Sequence, residues 1–573
     1  MSSVFLVIIG LSTFLIGYKF YASYIASRVF DLKTSQRRVP SEEFEDGIDF
    51  VPTKKEILFG HHFTSIAGAA PIIGPCIAAY WGWLPAFLWI VLGTIFIGAV
   101  HDFGALVISV KEKGKTIASI TGSVINKRVR IMFLIFVMML TWLVLAVFAM
   151  AIAGLFVSVP TAVLPVNIEI IFAILIGYLF YKKKTNIMLP SLIALVFLYI
   201  FVFIGSLFPI SFENFNLNTA EQTNLWIVLL FIYSTIASLL PVWILLQPRD
   251  YINSHQLIVG LILLFCGIMI SQPAVDAPIV RDIDGVGPDI FPLLFVTIAC
   301  GAISGFHGLI ASGTTSKQIS NIKDSKLIGY GAMLGEGTLA LFSLVAAVAG
   351  ISIVGECNLP SVGKITNLSW EIYYDTWAHA TTNKATAFVL GGAALIQSIG
   401  IPSGLSVTIM AVLVISFAAT TLDTATRIQR FILIEIGNST QIKFLKSRFI
   451  STICSVLPAL FLSLWSLEDP NTGLSTQAAW LLWPIFGASN QMLAALIFMI
   501  LTIYFLKKKR PVTLLLIPFL IITVMTLTTL VFQAKSFYMS NLLLLGINIL
   551  LIILIIWMLY EAFIVLKNQL FLK

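Results

Sequence analysis

The chain has 573 residues, 58% of them hydrophobic and only 11% charged, with a mean hydropathy of +0.98. That balance excludes a soluble core and marks an integral membrane protein. The net charge of +8 comes from lysines and arginines in a few short loops, so it reads as a topology signal beside lipid headgroups and not as a nucleic-acid footprint.

A span needs about 20 apolar residues, and about fifteen such runs can be marked, leaving no room for a sizeable soluble domain. The first, residues 4–26, is longer than a signal-peptide core and lacks a basic n-region, so it is kept as a span. Arg28, Lys33, Arg37, Arg38, Lys54 and Lys55 follow it and place that loop in the cytoplasm, with the N-terminus outside. Residues 60–80 then run outward and turn at 81–85, and residues 85–110 return to a second basic loop holding Lys111, Lys113, Lys115, Lys127, Arg128 and Arg130. Residues 131–157 go out, and 168–181 come back to Lys182, Lys183 and Lys184. Residues 187–208 lead to an outer loop, 225–246 return to Pro248, Arg249 and Asp250, and 257–271 lead to an acidic outer loop with Asp276, Asp282, Asp284 and Asp289. A central segment runs inward to Lys317, Lys323 and Lys326, and 327–351 go out.

Counting 385–401 as a span would put Arg427, Arg430, Lys443, Lys446 and Arg448 outside. Residues 355–402 are therefore expected to form an extracellular lid or re-entrant hairpin. Spans at 405–424, 449–467, 478–505, 512–532 and 542–566 complete the chain and leave the C-terminus cytoplasmic. The expected fold is an all-α, polytopic transmembrane helical bundle with broken helices, a single membrane domain. Its core would be residues 60–505, with peripheral helices over 511–573.

Two stretches carry the chemistry. Residues 301–318, GAISGFHGLIASGTTSKQ, and 60–75, GHHFTSIAGAAPIIGP, combine glycine, proline, hydroxyls and histidine within apolar runs. Irregular backbone survives at membrane depth only where it lines a protein-enclosed or watery cavity, and transporters hold substrate on such broken helices. Close helix packing through small residues is the other reading of the glycines. The candidate substrate ligands are His61, His62, Ser65, Gly68, Ser304, His307, Ser312 and Thr314.

Four further motifs stand out. AVHDFGALVIS puts His101 and Asp102 inside a span, where a carboxylate is costly unless it finds a partner. TTLDTATRIQR offers Asp423 with Thr420 and Thr421 as an ion site, while Asp423 and Arg427, one helical turn apart, equally suit a structural ion pair. LLPVWILLQPRDY should break at Pro241, with Arg249 and Asp250 capping the inner end as snorkelling charges or as a gate. WPIFGASNQMLAA places Asn490 and Gln491 in an apolar run, as gate or as helix glue. Adjacent His61 and His62 face different sides of a helix, which argues against a shared metal, and the five cysteines are scattered without a CxxC pair. No metal or cofactor is expected.

The stretches VPTKKEILFGHHFTSIAGAAPIIGP, AVHDF, LLPVWILLQPRDY, IDGVGP, FVTIACGAISGFHGLIASGTTSKQ, IGYGAML with Glu336, LDTATR and LWPIFGASNQMLAA together closely resemble the carbon starvation protein A (CstA) family. The resemblance implies a bacterial inner-membrane secondary transporter related to the amino acid-polyamine-organocation superfamily. It also implies a LeuT-like inverted repeat whose second half begins at the central broken helix. Members are associated with peptide uptake and with proton-coupled pyruvate uptake. The expectation is then a non-enzymatic importer of a small carboxylate or short peptides, coupled to a proton or Na⁺ and surrounded by lipid. The competing classes are a membrane redox protein with His-ligated metal or haem, and a channel or nutrient sensor.

Overall fold

In the computed structural model the chain is a bundle of α-helices, described over residues 1–32, 38–183, 188–283, 287–359, 363–382, 385–468, 475–477 and 481–571. Lys33, Arg37, Lys184 and Asp284 from the charge count lie outside the described residues. Among the described residues twelve helices are long and apolar enough to cross a membrane, or thirteen when the pair Lys55–Ile66 and Ala70–Trp81, bent by 47°, is taken as one span. Two other expected spans take different forms. Arg448–Leu464 has 17 residues, and the central segment is divided into Ile290–Thr297, Ala299–Ala302 and Gly305–Gly313. The expected basic loop at 111–130 also contains a helix, Ile117–Val124.

Local chemistry sets the boundaries. Asn126 caps Lys127–Ser158 by accepting from the Val129 N–H at 2.9 Å. Asn218 and Glu221 form a reciprocal capping box at the start of Thr219–Leu239. That helix stops just short of Pro241, whose missing N–H cannot continue the ladder. The span expected over 225–246 therefore ends at Leu239, and the next helix, Leu246–Ser271, starts earlier than expected. Arg249 and Asp250 sit near its start and are buried, so they are not the snorkelling end charges of the preceding helix.

Both broken segments lie in the core. The first unwinds at 67–69, where the non-helical dihedrals of Ala67 end one half-helix and Pro71 lies in the first turn of the next. The second unwinds at Ile303 and Ser304, both in extended backbone. Each break needs a glycine for close approach. A Cβ on Gly68 would lie 2.5 Å from the Phe148 ring, and one on Gly305 would lie 2.4 Å from the Ala494 nitrogen. The half-helices pack on one another and on Trp83–Lys111, Ile322–Ile353, Leu246–Ser271 and the 38-residue helix Ser403–Thr440, which runs along Lys127–Ser158.

Contacts between helix ends sort into two sets. At the basic end Thr53 bridges Ile319, Arg510 pairs with Asp31, Lys113 with Glu43, and the Tyr504 hydroxyl donates to Glu112 at 3.0 Å. At the opposite end Ser2 bridges Ala274, the Trp83 N–H donates to Pro278 O at 3.1 Å, and Thr408 donates to Thr161 at 2.8 Å. The same segregation follows from reading the loop charges in order. Residues 355–402 hold a short β-hairpin, Glu356–Leu359 with Gly363–Thr366, and the helix Thr386–Gln397. Twelve residues make about 18 Å of helix, well short of the roughly 30 Å of a hydrocarbon core. From this region the Trp370 indole N–H donates to Ala79 O (3.0 Å) and the Tyr374 hydroxyl to Cys76 O (2.6 Å), covering the far end of the first broken helix.

Candidate functional site

Two buried clusters of charge meet at the breaks. In the first, Lys55–Ile66 packs against the start of Leu246–Ser271. His61 Nδ1 lies 2.6 Å from Asp250 Oδ2, and Ser65, one turn on, donates to the same oxygen at 3.4 Å. A carboxylate at Nδ1 fixes the imidazole tautomer and orientation. The neighbouring Arg249 places Nη1 2.5 Å from Asp423 Oδ2, which also accepts from the Tyr233 hydroxyl at 2.9 Å. Arg249 Nη2 stands 3.9 Å from Asp250 Oδ1. Among the described residues its Nε and Nη2 have no hydrogen-bond partner, nor has Asp423 Oδ1.

Asp423 shares one face of its helix with Thr420 and Ser416, a spacing that stacks side chains on successive turns. Thr420 Oγ1 accepts from Asn253 (3.0 Å), and Thr421 donates to Ser65 O near the first break (3.4 Å). Ser416 donates to Glu169 Oε2 at 3.1 Å. The local ion pair expected between Asp423 and Arg427 is not formed. Arg427 donates instead to Leu240 O and Arg430 to Ser238 O, at the end of Thr219–Leu239, where helix carbonyls lack internal partners.

The second cluster surrounds the central break. His307 Nδ1 lies 2.9 Å from Asp102 Oδ2, and its Nε2 lies 3.2 Å from Glu336 Oε2. His101 Nδ1 is 2.7 Å from the other oxygen of Asp102. Side-chain exposure is at most 1% throughout. A neutral imidazole carries one N–H. His307 therefore lies between two carboxyl groups, hydrogen-bonded to one and in ion-pair range of the other. His62 joins the clusters: it follows His61, its Nδ1 is 2.9 Å from Thr315 Oγ1, and it lies within electrostatic reach of His307.

The other expected ligands are engaged in packing. Asn490 Oδ1 accepts the Phe306 N–H at 2.9 Å, and its Nδ2 donates to Ser304 Oγ at 3.0 Å, so Ser304 and one N–H at the start of Gly305–Gly313 are already engaged. Ser312 and Thr314 donate within their own helix, to Gly308 O and Ile310 O. Gln491 takes Thr526 at 3.4 Å and binds one helix to the next. Among the described residues no three His, Cys, Asp or Glu side chains are arranged to hold a metal ion.

Beside the first cluster a cavity encloses about 80 Å³ of space for water-sized molecules. Its polar wall is Glu169, Tyr233, Arg249, Asn167 and Ser416, and its apolar wall includes Phe156, Trp226 and Leu230.

A profile of the family described as Carbon starvation protein CstA matches residues 2–529. The chain belongs to this family. It is 32% identical over 565 residues to the peptide transporter CstA of Campylobacter jejuni, covering 92% of this chain and 79% of that protein. Identity is also 32% over 568 residues to the pyruvate/proton symporter BtsT of Escherichia coli, covering 89% and 78%. A solved manganese transporter from Eremococcus coleocola, in complex with an aromatic bis-isothiourea substituted compound, superimposes with a TM-score of 0.49 at 13% identity, covering 92% of this chain and 99% of that one.

In this CstA-family chain the sequence reading named Glu336 only within a family motif and gave no site role to Glu169, Glu336, Tyr233, Asn253 or Ser416. The two glutamates carried a usable signal, since each is a lone carboxylate within an apolar run. Tyr233, Asn253 and Ser416 carried none, because only the packing of three separate helices gives them partners.

Proposed function

We propose that this CstA-family protein is a secondary active transporter that imports a carboxylate-bearing solute, pyruvate or a short peptide, together with a proton. The reading rests on Arg249. A guanidinium stays charged at all physiological pH, and a charge buried this deeply needs an anion beside it. Asp423, at 2.5 Å, is that anion. A substrate carboxylate that reaches the unpartnered Nε and Nη2 groups can replace it. Asp423, then without its counter-charge in dry surroundings, takes up a proton. Leaving one member of a buried pair alone costs about 3–5 kcal/mol, so substrate and proton would favour each other's binding by roughly a hundredfold to a few thousandfold.

The Asp102–His307–Glu336 group serves as a second proton store, reached from the first cluster through His61 and His62. Alternating access would use the two breaks as hinges, with the halves on either side exposing the site in turn. The basic loops face the cytoplasm, the N-terminus lies outside and the C-terminus inside, in a bacterial inner membrane. Residues 355–402 then form an outer lid. A proton crossing about 100 mV gains about 2.3 kcal/mol and a tenfold gradient costs about 1.4 kcal/mol, so one proton entering with a net-neutral peptide sustains roughly fortyfold accumulation. With anionic pyruvate the two charges cancel, and only the pH difference drives uptake.

The test is uptake of labelled pyruvate and alanyl-alanine into proteoliposomes with and without a pH gradient. Accumulation of either, abolished by a proton ionophore, is expected. Absence of gradient-dependent accumulation of both defeats the symport reading, and flux that only equilibrates would indicate a channel.

A further inference from the structure

The cavity beside Arg249 contains a second ionisable group that carboxylate binding does not need. Glu169, on Val163–Lys183, is 1% exposed and lines the same wall. Among the described residues one oxygen accepts from Ser416 and the other has no hydrogen-bond partner. Arg249 on the same wall is the cation nearby, and a carboxyl group held against Phe156, Trp226 and Leu230 becomes costly once a substrate takes that cation, unless the substrate brings one of its own.

The surrounding charges point the same way. Glu169, Asp250 and Asp423 are three carboxyl groups around one arginine, with His61 already committed to Asp250. When a substrate carboxylate occupies Arg249 and a proton neutralises Asp423, Glu169 still lacks a positive partner. The aromatic lining supplies a further attraction. Trp226 lies tilted against Phe156 with ring centroids 4.7 Å apart, and the faces of such rings favour an ammonium group.

We propose that Glu169 is the specificity residue of this cavity. It binds the free ammonium group of a small zwitterion, an amino acid or short peptide, whose carboxylate rests on Arg249. The proposal builds on the transport reading above and narrows its substrate class. Two charged ends at fixed separation also explain selectivity, since a monocarboxylate such as pyruvate leaves Glu169 buried and unpaired, a penalty that rejects analogues lacking the matching group.

The experiment is counterflow exchange in proteoliposomes, which needs no proton gradient, with labelled alanine, alanyl-alanine, N-acetylalanine and pyruvate. Wild type should prefer the two zwitterions over N-acetylalanine and pyruvate by at least tenfold in apparent affinity. Glu169→Gln should weaken the zwitterions at least tenfold and change the other two less than twofold, and Glu169→Asp should keep the preference. The N-acetyl comparison requires no variant, so a misfolded substitution cannot shield the idea. Equal wild-type affinity for alanine and N-acetylalanine overturns the proposal, as does equal loss of all four solutes in Glu169→Gln that Glu169→Asp restores without preference. Exchange with the wrong preference removes the role of Glu169 and leaves transport standing. Exchange without gradient-driven accumulation removes proton symport and leaves Glu169 standing, and no exchange of any solute removes both.

Discussion

Arg249 and Asp423 come from the first turn of one helix and the middle of another, and they meet at 2.5 Å with both side chains at most 3% exposed. The pair holds two parts of the bundle together while engaging only Nη1 of the guanidinium with Asp423. Asp423→Asn should abolish proton-driven accumulation and lower unfolding stability by about 3 kcal/mol, because the arginine remains buried without its anion. The double variant Arg249→Met with Asp423→Leu should recover most of that stability and still fail to transport. Thermal unfolding in detergent and uptake assays read the two effects separately, and a fully active Asp423→Asn protein would move the coupling site elsewhere.

Glu336 answers to a different assay. Its oxygen lies 3.2 Å from His307 Nε2 and contributes no hydrogen bond to helix packing. Glu336→Gln retains shape and polarity but removes a proton-binding group. Gradient-driven accumulation should fall at least tenfold, with counterflow exchange within twofold of wild type. Unchanged accumulation would reduce the Asp102–His307–Glu336 group to a structural network.

Asn490 ties the central break to Trp483–Lys507 by taking the Phe306 N–H and the Ser304 hydroxyl. Asn490→Leu leaves those groups unsatisfied in a dry interior and should cost about 1–3 kcal/mol. Gly305→Ala should be at least as damaging, because its methyl group would meet the backbone of the same helix at 2.4–2.5 Å. Differential scanning of the purified protein should show both as lowered Tm, and wild-type stability in either would mean that the break is looser than its contacts indicate.

The proposed lid offers a labelling test. Arg281 donates to the Tyr374 carbonyl and lies 4.2 Å over the Tyr80 ring, while Tyr374 bonds to the Cys76 carbonyl. With the other four cysteines changed to serine, Arg281→Ala should raise the rate at which an impermeant thiol reagent reaches Cys76 at least fivefold. An unchanged rate would show that the lid is held by its aromatic packing alone.

The broken helices were legible because glycine, proline and histidine inside an apolar run have few uses in lipid, and the order of basic loops separated the two ends. The pairing of Asp423 was not legible. Local spacing made Arg427 the natural partner, yet a long side chain chooses among all neighbours, and Arg427 is drawn to the unpaired carbonyls of a helix distant in sequence. The hydroxyls of Ser312 and Thr314 misled for a related reason, since a buried hydroxyl readily bonds to the carbonyl four residues behind it. The span count differed where composition outran geometry: the central segment has the content of a membrane helix without its continuity.

One rod carries much of this chemistry. Ser403–Thr440 bears Ser416, Thr420 and Asp423 at the cavity and Arg427 and Arg430 at the end of a neighbouring helix, with no interruption between them. Thirty-eight residues make about 57 Å of helix. Rocking such a lever by about 5° around its middle would swing each tip by about 2.5 Å. Asp423 lies beside that pivot, so the ends of the rod can move while the cavity residues keep their places, and Arg427 and Arg430, within two turns of Asp423, travel only a fraction of that distance.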